Sequence, residues 1–320
     1  MTQQPQTLQE AIQYFSDEQR CIDYLVALRW PAGVACPTCG STEVHYLTNQ
    51  KRWQCKSKHA RRQFSIKVGT VMEDSPLSLT KWLPAIWLLA NCKNGISSYE
   101  LHRALKVTQK TAWFMLHRIR YAMQDQAPAQ LGGEVEADET FIGGKARFMH
   151  KSVKARKITG TGGAGKTAVV GLLERGQGTR KSRVQATVIP NTQRTTLHQE
   201  VQQRVEPGSE VHTDEYSGYR GLEDADIHEV INHAEEYVRD HVTTNRIENF
   251  WALLKRTTKG SYVSVEPFHL RRYLDDQVFR FNARGGRDAD RFVYVASALA
   301  DKRLTYQELI GNMDLDAYPA

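Results

Sequence analysis

The sequence predicts an α/β protein whose main domain follows a small cysteine-bearing module and a helical segment. Three observations carry that expectation. Cysteines and histidines cluster early, in CPTCG and again at Cys55 and His59. Two short helical patterns with a three-residue turn between them occupy residues 98–123. From residue 130 the pattern runs three strands, a helix, a strand, then a strand and a helix.

The whole chain bounds these elements. Its 320 residues suffice for more than one core, and 40% hydrophobic with 25% charged residues is ordinary for a globular protein. A net charge of +7 and a pI near 9.1 suggest a polyanionic partner. The longest apolar run, Trp82 to Ala90, is too short to span a bilayer. The N-terminus is polar and lacks a signal-peptide core, so a soluble, cytoplasmic protein is expected. Five cysteines, an odd number clustered early, make a poor disulfide framework and a better metal site.

Residues 1–70 form the first expected region. Cys36-x2-Cys39 is half of a zinc knuckle, and Cys55-x3-His59 is the expected second half. Zinc takes thiolate and imidazole in a tetrahedron, and closed four-ligand sites are structural. His45 is an alternative fourth ligand. Between the halves, VHYL and KRWQ alternate as a small hairpin would. Lys51 to Lys67 contains seven Lys or Arg and no acid, which suits a phosphate-contacting face.

Residues 75–126 are expected to be helical. SLTKWLPAIWLLANCKNG reads as a buried helix that starts after a Ser/Thr cap and stops near Gly95. Ser98 is placed to cap a helix over 99–105 and Thr108 one over 109–123. Such a pair resembles a helix-turn-helix. Ala112, Leu116 and Ile119 would face the core, leaving Lys110, His117, Arg118 and Arg120 for DNA.

Residues 130–285 carry the α/β pattern. The strands are VEADET, TAVVGLLE, SRVQATVIP, SEVHT and IHEVIN, with helices at TLHQEVQQRV and TTNRIENFWALLKRTTKG. That order is the one expected of an RNase H-like domain, by analogy of fold. Residues 286–320 suggest no role.

One motif points elsewhere. GTGGAGKT, from Gly160 to Thr167, matches the phosphate-loop pattern G-x-x-x-x-G-K-[ST]. That loop works where it follows a strand and opens a helix. Here a basic segment precedes it and a strand-like run follows it. A flexible glycine loop beside the six cations of Lys145 to Lys157 is better suited to tracking a DNA backbone than to holding ATP.

The acids form the candidate active site. Asp138 is expected at the end of the first strand, Asp214 at the end of the fourth, and Glu248 on the last helix. In that helix Ile247, Phe250, Trp251 and Leu254 make an apolar stripe, while Asn245, Glu248 and Lys255 share another edge. Three converging carboxylates repel unless a cation lies between them, and Mg²⁺ (or Mn²⁺) prefers such oxygen ligands. Two such ions would serve phosphodiester chemistry, with Lys255 on a phosphate. Glu139 and Glu215, next to the chosen aspartates, compete for the inward position.

Taken together, CPTCG, RRQFSIKVGTVMEDSPL, KTAWFMLHRIR, VEADETFIGG, KTAVVGLLERG, VHTDEYSGY, HVTTNRIENFWALLKR and HLRRYLDDQVFRFNAR resemble the bacterial insertion-sequence DDE transposases with an N-terminal zinc ribbon (the ISXO type). The likeness covers about Trp30 to Arg284. It implies Asp138, Asp214 and Glu248 as the metal-binding catalytic triad and Lys255 as an auxiliary cation. It implies zinc on Cys36, Cys39, Cys55 and His59, although four cysteines are the commoner ribbon set. It implies phosphodiester hydrolysis and strand transfer on double-stranded DNA, both terminal repeats and target, by a homodimer or larger assembly. A catalytically silent DNA-binding regulator and an RNase H-like nuclease are the alternatives.

Overall fold

The computed structural model describes residues 4–125, 128–143, 165–213, 217–219, 221–222, 230–232, 244–263 and 265–311. The chain divides into two compact units, Met1–Gln124 with Gly286–Ala320, and Asp125–Gly285.

In the first unit, helices α1 (Leu8–Tyr14) and α2 (Glu18–Arg29) precede a small antiparallel sheet of β1 (Val44–Leu47), β2 (Arg52–Cys55) and β3 (Gln63–Phe64). Trp53 anchors that sheet, with ring centroids 4.8 Å from Tyr46, 5.8 Å from Trp30 and 5.9 Å from Phe64. Helix α3 (Leu79–Asn91) buries nine of its residues. Its cap differs from the expected one. Ser78 occupies the cap position without bonding the helix, and the Glu18 carboxylate accepts from the Leu79 and Thr80 amides instead. A negative group at a helix N-terminus satisfies orphan N–H donors and opposes the dipole.

Helices α4 (Ser98–Leu105) and α5 (Gln109–Met123) follow, with the tight turn between them. Ser97, not Ser98, caps α4, in a reciprocal capping box with Glu100. Thr108 caps α5 as expected. The basic side chains of α5 depart from the expectation. His117, Arg118 and Arg120 are buried, so they are not available for DNA. Arg118 donates to the Leu304 and Glu73 carbonyls and lies 4.2 Å over the Phe114 ring. Only Lys110 of the four proposed residues is exposed. Helices α9 (Asp288–Ser297) and α10 (Tyr306–Leu309) complete this unit. Phe292 of α9 packs with Phe15, Tyr24 and Trp87, so the segment without an assigned role supplies part of the core.

The second unit holds a five-stranded sheet of β4 (Glu134–Ile142), β5 (Thr167–Glu174), β6 (Arg183–Ile189), β7 (Glu210–Thr213) and β8 (Val230–Asn232). The strand order is β6-β5-β4-β7-β8. The β4–β5 and β5–β6 pairs are antiparallel, and the β4–β7 and β7–β8 pairs are parallel. Strand alternation sorts the side chains onto two faces. Val135, Ala137, Ala168, Val170 and Leu172 meet Leu197 and Val201 of α6 (Arg194–Arg204). Val169, Leu173 and Val184 meet Ile247, Phe250, Trp251 and Leu254 of α7 (Asn245–Gly260), together with Leu270, Leu274 and Phe281 of α8 (Leu270–Asn282). The last residue of α8 also covers the sheet edge. Asn282 accepts from the Val184 amide at 2.8 Å and donates to its carbonyl at 2.9 Å, blunting β6 as a pairing edge.

Candidate functional site

Strand β4 carries the acids on alternating faces. Asp138 lies on the α7 side and Glu139 on the α6 side. The two neighbours therefore meet different helices. Asp138 Oδ2 accepts from Trp251 Nε1 of α7 at 2.9 Å, and its Oδ1 accepts from the Glu139 amide at 2.8 Å. Glu139 accepts from the buried Tyr219 hydroxyl at 2.9 Å instead. The sequence pattern puts Asp138 at the end of the first strand, but it lies within it. The strand runs on to Ile142, because Thr140, Phe141 and Ile142 are good strand formers and pair with Val169, Ala168 and Thr167.

Helix α7 is fixed to β4 at a second point. Glu136 is fully buried on the same face, two residues before Asp138. Its Oε2 accepts from the Arg246 and Ile247 amides at 3.0 and 2.9 Å, and its Oε1 pairs with Arg175 at 2.8 Å. The cap residue Thr244 makes no side-chain cap bond, so Glu136 supplies one from across the fold. A carboxylate at this end is stabilised by the helix dipole and by Arg175. Beside it, His212 of β7 pairs in register with Glu136. Burial and then the Arg175 charge hold His212 below its ordinary 6.5, against the pull of Glu210, Glu134 and Glu136.

Glu248 and Lys255 stand on α7 three residues before and four after Trp251, and so neighbour it on the helix surface. Glu248 is exposed and Lys255 half-buried. The predicted stripe Ile247, Phe250, Trp251 and Leu254 is buried throughout. Gly171 explains how the indole fits. It pairs with Asp138 across β4–β5, and a Cβ there would meet the Trp251 ring at 2.6 Å. Asp214 and Glu215 lie outside the described residues. Thr213, which immediately precedes Asp214, pairs with Ala137. Sequence reasoning assigned Trp251 only to the core and gave Glu136 no role. An acid in VEADET on the Asp138 side of the strand was the available signal.

The cysteine cluster is separate and complete. Ligand atoms of Cys36, Cys39, Cys55 and His59 all lie within 4.8 Å of one another. Cys39 Sγ is 3.7 Å from Cys55 Sγ, and Cys36 Sγ is 3.5 Å from His59 Nε2. Tetrahedral zinc with bonds of about 2.3 Å to sulfur and 2.0 Å to nitrogen sets ligand edges of roughly 3.8 and 3.5 Å. The donor set and its spacing therefore fit a structural zinc. His45, the alternative ligand, pairs with Gln54 on β1 and is exposed. Around this cluster Lys51, Arg52, Lys56, Lys58, Arg61 and Arg62 are exposed. Lys67 departs from that face: its ammonium donates to the Ser75 and Leu77 carbonyls.

For the phosphate-loop pattern, residues 160–164 and the cations of 145–157 lie outside the described residues. Thr167 opens strand β5, where that motif requires a helix. No described helix is long and apolar enough to cross a membrane.

Comparison with known proteins bears on both sites. Residues 130–282 match the ISXO2-like transposase domain, and residues 16–60 match the transposase zinc-ribbon domain. The chain is 29% identical over 259 residues to an uncharacterized protein in transposable element ISH50 of Halobacterium salinarum, spanning 77% of this chain and 84% of that protein. It is 33% identical over 103 residues to an uncharacterized transposase-like protein of Haemophilus influenzae, spanning 32% of this chain and 83% of that one. With a zinc-fitting Cys3His ribbon and an acidic strand braced by helix α7, the chain belongs to the ISXO2-like transposase family of insertion sequences.

Proposed function

We propose that this transposase binds the terminal repeats of its element, cuts there, and joins the freed ends to target DNA. The observation that carries the reading is the bracing of Asp138 by α7, the helix that also bears Glu248 and Lys255. The strand order β6-β5-β4-β7-β8 supports an RNase H-like architecture for this unit. Asp214 follows β7, the strand beside β4, and supplies the third acid.

Asp138, Asp214 and Glu248 offer hard oxygen ligands that suit Mg²⁺ or Mn²⁺. Such ions, when bound, activate an attacking oxygen and stabilise a leaving one. Lys255 neutralises a DNA phosphate next to the acids. In the cutting step water adds to phosphorus and the element's 3′-oxygen leaves as a hydroxyl. In the joining step that hydroxyl attacks a target phosphodiester, and the target's own 3′-oxygen leaves. The bond count is conserved, so no nucleotide hydrolysis is needed. The chain's task is placement and electrostatics. The exposed cations of the ribbon, with Arg103, Lys106 and Lys110 of the α4–α5 pair, provide the phosphate contacts. Joining two DNA ends calls for at least a dimer in the active complex.

The test uses DNA carrying the element's own ends, with Mg²⁺ or Mn²⁺, and compares wild type with Asp214→Asn. Joined products from wild type alone are expected. Binding without cleavage by either protein would favour a silent regulator, and cleavage without joining a nuclease.

A further inference from the structure

We propose that Trp251 is a positioning residue for Asp138, holding its carboxylate in the orientation in which it takes a metal ion. The inference rests on the metal-dependent reading above and deepens it. Trp251 is 3% exposed and belongs to the apolar stripe of α7, which would account for a phenylalanine equally well. What packing does not explain is its polar end. The indole N–H, a donor only, is aimed at Asp138 Oδ2 at 2.9 Å.

Three features make this contact a fixed one. Gly171 stands opposite Asp138 on the neighbouring strand, and its missing Cβ leaves the space that the six-membered end of the indole fills. Ile247 Cδ1 presses on the same spot, 3.0 Å from where that Cβ would be. Glu136 accepts from two backbone amides at the start of α7, which sets the register of the helix against β4. The ring therefore has one seat, and its N–H one direction.

The other oxygen, Oδ1, accepts from the Glu139 amide at 2.8 Å. Each oxygen thus has a donor fixing it. A metal-binding carboxylate commonly depends on such outer partners, and removing one costs about 10- to 100-fold in metal affinity or activity. Trp251 also lies between Glu248 and Lys255 on the helix surface. Seating its ring thus fixes both the orientation of one acid and the rotation of the helix that carries the other.

Trp251→Phe keeps the ring in the apolar stripe and removes the donor. With the zinc ribbon loaded, Mn²⁺ titrated by calorimetry should bind wild type at the acidic site. The variant should bind about 10- to 100-fold more weakly, with end-DNA affinity close to wild type, while the smaller ring lowers the melting temperature without unfolding the domain. Cleavage should fall by a similar factor and recover as Mn²⁺ is raised. A core role alone would leave the Mn²⁺ dependence unmoved, whatever the change in melting. A second measurement needs no Trp251 variant. The Trp251 indole N–H resonance should be shielded from solvent exchange in wild type and become exchangeable in Asp138→Ala. A folded Trp251→Phe with wild-type Mn²⁺ affinity, or an indole signal indifferent to Asp138→Ala, would overturn the proposal. Wild type that binds Mn²⁺ through Trp251-dependent Asp138 but never cleaves DNA would refute the transposition reading and leave the positioning role standing.

Discussion

The zinc cluster and the acidic site are built on opposite plans. All four candidate zinc ligands fall between Cys36 and His59, on one knuckle and one hairpin end. The acids are spread from Asp138 to Glu248, on a strand, beyond a second strand, and on a helix. A local site depends on the spacing of its own residues. A distributed site, as proposed for the acids, depends on contacts that carry no ligand, here Glu136, Gly171 and Trp251. The difference predicts how each one fails.

Removing zinc should have the largest effect, and a local one. Apparent zinc contributions in small zinc domains run to about 10–16 kcal/mol. Chelation, or Cys36→Ser, should abolish hydrogen-exchange protection across β1–β3 while β4–β6 stay protected. Equal loss in both would break the contrast.

Glu136→Ala should come next. It leaves Arg175 without its buried partner and two helix amides without an acceptor. Breaking a buried pair costs about 3–5 kcal/mol, and because Arg175 keeps Glu134 at 2.9 Å the loss should fall toward the lower end, readable by urea denaturation of the second unit. Less than about 1 kcal/mol would show that the staple is dispensable, against the comparison.

Gly171→Val tests the seat of the indole. The new side chain meets the Trp251 ring, and overpacking of a filled core costs about 1–3 kcal/mol. Denaturation midpoints would report it, and an unchanged midpoint would contradict the packing.

The smallest effect concerns pH. His212 is held below 6.5 in the fold, so the unfolded chain binds its proton more readily. Its contribution is full above pH 6.5 and is lost as pH falls below that value toward the folded pKa. His212→Gln should flatten the acid side of the stability curve, and an unchanged slope would assign it to other groups.

Much of this was legible in the sequence, and the reasons differ between the sites. Hydrophobic alternation located β1 and β2, and Cys-x2-Cys with Cys-x3-His marked the cluster, since both are short-range signals. The apolar period of α7 marked its buried stripe correctly. It could not distinguish a purely apolar tryptophan from one whose N–H meets an acid 113 residues away. Glu18 at the start of α3 and Glu136 at the start of α7 were invisible for the same reason: each caps a helix from a distant segment. His117, Arg118 and Arg120 were misread as surface cations because the carbonyls Arg118 meets lie 45 and 186 residues off. Phe292 joins a core begun by Phe15 for a comparable reason.

The most direct test asks whether Asp138 and Glu248 serve one metal site. Mn²⁺ binding would be measured for wild type, Asp138→Asn, Glu248→Gln and the double variant, each with zinc retained. Our account predicts that either single change removes the same binding event and that the double change removes nothing more. Wild-type Mn²⁺ binding by folded Glu248→Gln would contradict it.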